Sequence, residues 1–129
     1  VHLFLALDRE ELARELSRRF AQKGAVARVL LEVNTGAEVT KEGCPPADAP
    51  RLAGAVRALP SVELAGLMCL PPPGDDPRPH FRLLRDLRDR LGLRELSMGM
   101  SGDWPIALEE GATIVRIGTA IFGERPRRT

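Results

Sequence analysis

The 129-residue chain has no tyrosine, and aromatic residues of any kind make up only 4% of it. Chemistry that needs a catalytic phenol is thereby excluded. There are two cysteines, Cys44 and Cys69, and two histidines, His2 and His80, with no C-x-x-C or H-x-x-x-H spacing. No ligand pattern for a metal exists, and so sparse a cysteine content suits a reducing, cytoplasmic setting. No apolar run reaches membrane-spanning length. The opening VHLFLAL has neither a basic leader nor a small-residue cleavage site and does not read as a signal peptide. The net charge of +1 gives no electrostatic ground for nucleic-acid binding, and the basic tail ERPRRT reads as a solvated end. Of the 19 basic residues only Lys23 and Lys41 are lysines.

What is present is a globular composition, 43% apolar and 29% charged, in a length that suits one domain, residues 1–129. Apolar β-like runs alternate with amphipathic stretches. Strands are expected at VHLFLAL (1–7), ARVLLEVN (27–34), VELAGLMCL (62–70), RELSMG (94–99) and TIVRIG (113–118). Between them, Asp8 with Glu11 forms a capping box for a helix whose face is Leu12, Leu16 and Phe20, closed by Gly24. Further helices are expected over roughly 47–59, over 80–91 with Phe81, Leu84, Leu87 and Leu91 inward, and from Asp103 to about Glu110. PPPGDDPRP reads as a stiff surface loop and TAIFG as a short final helical turn.

Such alternation means an α/β fold with a parallel sheet and outer helices, either an open doubly wound sheet or a (β/α) TIM-type barrel. Residue parity favours the barrel. In ARVLLEVN, Val29, Leu31 and Val33 share one side while Glu32 and Asn34 share the other; in TIVRIG, Val115 opposes Arg116. A barrel mouth accepts polar inward residues, whereas central strands of an open sheet are apolar on both faces. A whole barrel has eight strands and about 250 residues. The five strands here, opening abruptly at Val1, point to the C-terminal portion of a barrel, about strands 4 to 8, with its N-terminal strands absent.

The last two strand ends carry the chemistry. LSMGMSGD places Ser97, Gly99 and Ser101 at a strand-to-helix corner, and RIGT places Gly118 and Thr119 at the next. Glycines allow close backbone approach, and N–H groups and hydroxyls donate to an oxyanion. Ser101 and Asp103 also suit plain helix caps, and Gly118 a plain strand end. On consecutive barrel strands, however, the two loops together point to phosphate. Arg116, two residues before Gly118, would enter the lumen just below, either in a salt bridge with Glu32 or against the same ligand. Pyridoxal 5'-phosphate satisfies both: an always-charged Arg against its ring nitrogen would keep that nitrogen unprotonated and restrain carbanion chemistry.

The stretches LSMGMSGDWPIALEEGATIVRIGTAIFGER, EVNTGAEVTKEG and GLMCLPP, in that order along essentially the whole chain, closely resemble the pyridoxal phosphate homeostasis protein family. The resemblance implies a (β/α)8 barrel like the N-terminal domain of alanine racemase. It implies pyridoxal phosphate binding in vitamin B6 and amino-acid homeostasis without established turnover. It places Ser97, Gly99, Ser101, Gly118 and Thr119 at the phosphate, Arg116 at the pyridine nitrogen, and Asn34 and Met68 in the lumen. The family's Schiff-base lysine lies on a first strand that this chain does not contain; Lys41 matches a loop lysine instead. Glu32 departs from the family's usual Gln.

Three other readings compete. A racemase-type enzyme of the same cofactor would add a second domain with a catalytic tyrosine. A phosphate-binding barrel unrelated to B6 would explain the loops but not the ordered motifs. A structural fragment without activity is compatible with a non-catalytic carrier. Open barrel edges also imply self-association, or pairing with the missing N-terminal segment.

Overall fold

The computed structural model describes residues 4–36, 42–117 and 120–122. Its elements run β1 (Leu5–Leu7), α1 (Glu10–Gln22), β2 (Ala27–Glu32), a 3₁₀ turn (Pro46–Asp48), α2 (Ala49–Arg57), β3 (Val62–Met68), α3 (Pro77–Leu91), β4 (Glu95–Ser97), α4 (Trp104–Glu109), β5 (Val115–Ile117) and β6 (Ala120–Phe122).

Strands β1 to β4 pair in parallel in the order β1-β2-β3-β4. Met98 N–H donates to the Ile114 carbonyl at 3.1 Å, and a parallel bridge joins Ser97 to Ile114, so β5 follows β4 in the same sense. Neighbours in space are thus neighbours in sequence, with no reversal of order. A doubly wound sheet reverses at a switch point; this arrangement is an arc of a (β/α) barrel.

The expected parity holds. Val29, Leu31 and Val33, Leu67 and Cys69, Leu96 and Met98, and Val115 enter the core beneath the helices. There they meet Leu52 and Val56 of α2 and Phe81, Leu84 and Leu87 of α3. Leu30 and Met68 are equally buried but lie outside that core, on the opposite, lumen-side parity.

β3 departs from regular alternation. Val29 pairs with Leu64 and Leu30 with Gly66, leaving Ala65 as the extra residue of a β-bulge. A Cβ at Gly66 would lie 2.0 Å from the Glu95 carbonyl oxygen. Only glycine permits β4 to approach so closely.

Four local expectations change. Helix α3 starts at Pro77 rather than 80, because Asp76 Oδ1 accepts the Arg78 N–H at 3.1 Å and Pro77 suits the first turn. Asp8 does not cap α1. Arg9 holds the N-cap position, while Asp8 Oδ2 accepts the Gly43 N–H at 2.9 Å across the chain. Cys44, in a segment read as a polar loop, is buried and bridges Val33 in parallel. Ala120–Phe122 is a strand and not a helical turn. It pairs antiparallel with β5, Val115 opposite Phe122 and Arg116 opposite Ile121. Ile and Phe favour extended backbone, and the remaining edge of β5 requires a hydrogen-bonding partner.

Candidate functional site

Parallel register brings Glu32, Met68 and Ser97 side by side at the C-terminal ends of three strands. Ser97 is only 1% exposed although it is polar. Arg116 arrives from β5, its N–H donating to the Gly99 carbonyl at 2.9 Å. Its guanidinium then donates from Nη2 to Ser97 Oγ at 3.4 Å and meets Met68 Sδ at 3.7 Å. Among the described residues Arg116 has no ion pair with a carboxylate; the alternative of an Arg116–Glu32 salt bridge is not what forms.

Gly99 has φ of +103°, and a Cβ there would stand 2.6 Å from the Ala107 methyl. The corner after β4 therefore needs glycine for both backbone conformation and space. Asp103 Oδ1 accepts the Met100 N–H at 2.7 Å, and Trp104 N–H donates to the Met100 carbonyl at 2.9 Å. This closes Met100–Asp103 into a compact turn ahead of α4. Ser101 stands exposed on its rim.

Asn34 continues the lumen parity of β2. Its backbone N–H donates to the Cys44 carbonyl at 2.8 Å, and Cys44 N–H donates to the Glu32 carbonyl at 2.8 Å. Gly43, with φ of +110°, lets these segments meet, since a Cβ would fall 2.9 Å from the Asn34 nitrogen. So Met68, Ser97 and Arg116 touch, Gly99 anchors Arg116, Asn34 lies at the neighbouring strand end, and Ser101 is on the rim. Gly118, Thr119 and Lys41 lie outside the described residues. Lys23 is the exposed C-cap of α1.

One arrangement escaped the sequence reading. Thr35 Oγ1 lies 2.9 Å from His80 Nδ1, and His80 Nε2 lies 3.2 Å from Asp75 Oδ2. The connection after β2 is thereby joined to the first turn of α3 and to the connection after β3. The Thr35 hydroxyl also draws the Cys69 thiol downward, against the larger effect of burial. No spacing announces it, because the partners are far apart in sequence. Burial pushes the Cys69 thiol up to about 12, and burial with nearby Asp48 and Asp8 pushes Cys44 up to about 11. Both stay neutral thiols near pH 7, so neither acts as a thiolate nucleophile there.

The chain matches the alanine racemase N-terminal domain model over residues 2–126. A curated relative from Aquifex aeolicus, named pyridoxal phosphate homeostasis protein, is 48% identical over 134 residues, covering 97% of this chain and 59% of that protein. The solved structure of PipY from Synechococcus elongatus with pyridoxal phosphate bound superposes with a TM-score of 0.80 at 32% identity, covering 93% of this chain and 60% of that one. An alanine racemase of Clostridium difficile shares the fold, with a TM-score of 0.73 at 16% identity over 97% of this chain and 35% of its own. The chain thus spans about half the length of the homeostasis relatives it matches. From the ordered parallel strands, the glycine-built corner and the match along nearly its whole length, the chain belongs to the alanine racemase N-terminal domain family.

Proposed function

We propose that this chain supplies the phosphate and ring-nitrogen end of a pyridoxal 5'-phosphate site in a non-catalytic protein of vitamin B6 and amino-acid homeostasis. The observation that carries the reading is Arg116, a half-buried guanidinium whose described side-chain partners are a hydroxyl and a thioether. Neither neutralises it. A permanent cation in that setting calls for an acceptor from a ligand.

The donor set fits the cofactor. Arg116 can only donate, so it suits the lone pair of an unprotonated pyridine nitrogen. Ser97 Oγ accepts from that guanidinium and holds its direction. Gly99 and Ser101 border the phosphate position, with Gly118 and Thr119 assigned to its other side and Asn34 and Met68 to the lumen wall. When bound, the cofactor supplies an electron sink, and an Arg at its nitrogen leaves that sink weak. That favours holding and delivering the cofactor over turnover. The naming of the Aquifex aeolicus relative and the cofactor bound to PipY support this reading.

In the same reading these residues are the C-terminal part of a barrel, and the covalent lysine comes from strands outside them. Two free buried cysteines accord with a cytoplasmic location. Equilibrium dialysis against pyridoxal phosphate tests the proposal. Arg116→Ala should weaken retention by about tenfold, the worth of one charge-assisted hydrogen bond. Unchanged retention in Arg116→Ala would refute it.

A further inference from the structure

The strand ends opposite the candidate site carry a second opening that the cofactor reading does not use. Pairing of β3 with β4 begins at Gly66–Glu95, just past the bulge at Ala65, and leaves a gap between the start of β3 and the connection from α3 to β4. The gap is a cavity of about 410 Å³, within the range of small-molecule sites. It lies five residues down β3 from Met68, a separation of roughly 16 Å in extended chain.

Its walls are charged in an uneven way. Arg28, Arg57 and Arg94 face two carboxylates, Glu63 and Glu95, beside the apolar surface of Phe4, Leu64 and Leu93. Both carboxylates are occupied. Glu63 Oε1 pairs with Arg28 Nε at 3.4 Å, and Glu95 Oε1 accepts the Thr113 hydroxyl at 2.8 Å. The arginines are less fully used. Arg57 Nη2 donates to the Leu91 carbonyl at 2.7 Å, and among the described residues it has no carboxylate partner. The Arg94 side chain has no hydrogen-bond or ion-pair partner among the described residues. Backbone donors at the rim are already committed: Leu93 N–H to the Arg88 carbonyl and Arg94 N–H to the Ala65 carbonyl. The charged donors left for an entering group are the guanidinium groups of Arg57 and Arg94.

We infer that this cavity binds a small organic anion, a carboxylate or phosphate headgroup on an apolar body. Arg57 and Arg94 take the headgroup, since guanidinium groups match planar and tetrahedral oxyanions through paired donors. Leu64, Leu93 and Phe4 cover the body. The space begins where β3–β4 pairing ends, and Gly66 lets β4 approach closely at that point.

Phenyl phosphate and benzoate, with inorganic phosphate for the headgroup alone, are the probes. Each is titrated into the protein while amide shifts of residues 63–66 and 92–95 are followed by NMR. Saturable shifts are expected there, with phenyl phosphate and benzoate separating the two headgroups. Arg94→Ala and Arg57→Gln should each weaken the organic probes about tenfold. Arg116→Ala, which disables the opposite end, should leave these shifts in place. Absence of saturable shifts at those amides, affinity unchanged in both arginine variants, or loss of the shifts in Arg116→Ala would overturn the assignment.

Discussion

His80 Nδ1 and the Thr35 hydroxyl, 2.9 Å apart, tie the first turn of α3 to the turn that follows β2. Thr35 is the residue after Asn34, so this contact sets where β2 delivers its last lumen-side group. Removing the ring with His80→Ala should loosen Asn34 without unfolding the core. Amide exchange at Asn34, whose N–H bonds the Cys44 carbonyl, should speed up about fivefold, the equivalent of one neutral hydrogen bond. Exchange at Leu31 in the sheet interior should not change. Equal protection of Asn34 in both proteins would show that the contact positions nothing.

Gly66→Ala tests the close approach of β3 and β4. The added methyl would stand 2.0 Å from the Glu95 carbonyl oxygen, and backbone cannot yield as a flexible side chain does. A loss of about 3 kcal/mol is expected in urea unfolding, at the upper end for overpacking. Gly54→Ala on α2 meets nothing within 4 Å and replaces a poor helix former. It should be neutral or stabilising. A stable Gly66→Ala would mean that β4 sits farther away than described.

Acid should unlock α3 from α4. Glu110, 4% exposed, accepts from Arg78 Nη1 at 2.5 Å, Arg82 Nε at 3.2 Å and Arg85 Nη1 at 3.0 Å. The Arg82 and Arg78 guanidinium groups hold its carboxyl below the usual range. A folded pKa below the unfolded one means that the unfolded chain binds more protons in that window. Stability from this group is therefore present above the ordinary Glu pKa of about 4.3 and lost as pH falls through the lower folded value. The Tm advantage of the native protein over Glu110→Gln should shrink between about pH 5 and pH 3. Glu15, lowered by Arg18 and Arg19 on the surface of α1, contributes little because solvent screens it. A constant advantage across that range would remove Glu110 as the acid-sensitive lock.

The cysteines give an alkaline counterpart. Their folded pKa values of about 11 and about 12 lie above the ordinary thiol value. The folded chain then binds more protons, and stability falls as pH rises from about 8.5 towards those values. Cys69→Ala should flatten part of that decline in a series of thermal melts. Thiol labelling at pH 8 should be slow in the folded protein and fast in urea. Rapid labelling without denaturant would contradict the burial of both side chains.

Much of the site's frame is legible in the sequence. The parity that sets Glu32 and Asn34 against Val29, Leu31 and Val33 survives because core burial forces it. The face of α3 survives for the same reason, and its true start was written in Asp76-Pro77. The rest depends on contacts that no local pattern encodes. Arg78 finds Glu110 over 32 residues and His80 finds Thr35 over 45. Arg116 was expected beneath the phosphate loops and does reach Ser97. Its alternative partner, Glu32, was a matter of side-chain reach, which parity alone does not fix.

The bulge in β3 also splits that strand into two phases. Counted from Leu64 by simple alternation, Met68 would belong to the core and Cys69 to the lumen; the extra Ala65 resets the count and exchanges them. The two ends of β3 are therefore numbered from separate origins. Loss of Ala65 would merge the phases while leaving Glu63 and Met68 on their present faces. A second deletion in the same stretch would instead turn the strand's end inside out. β3 thus has one residue more than its pairing needs, and it lies between the two sites at its ends.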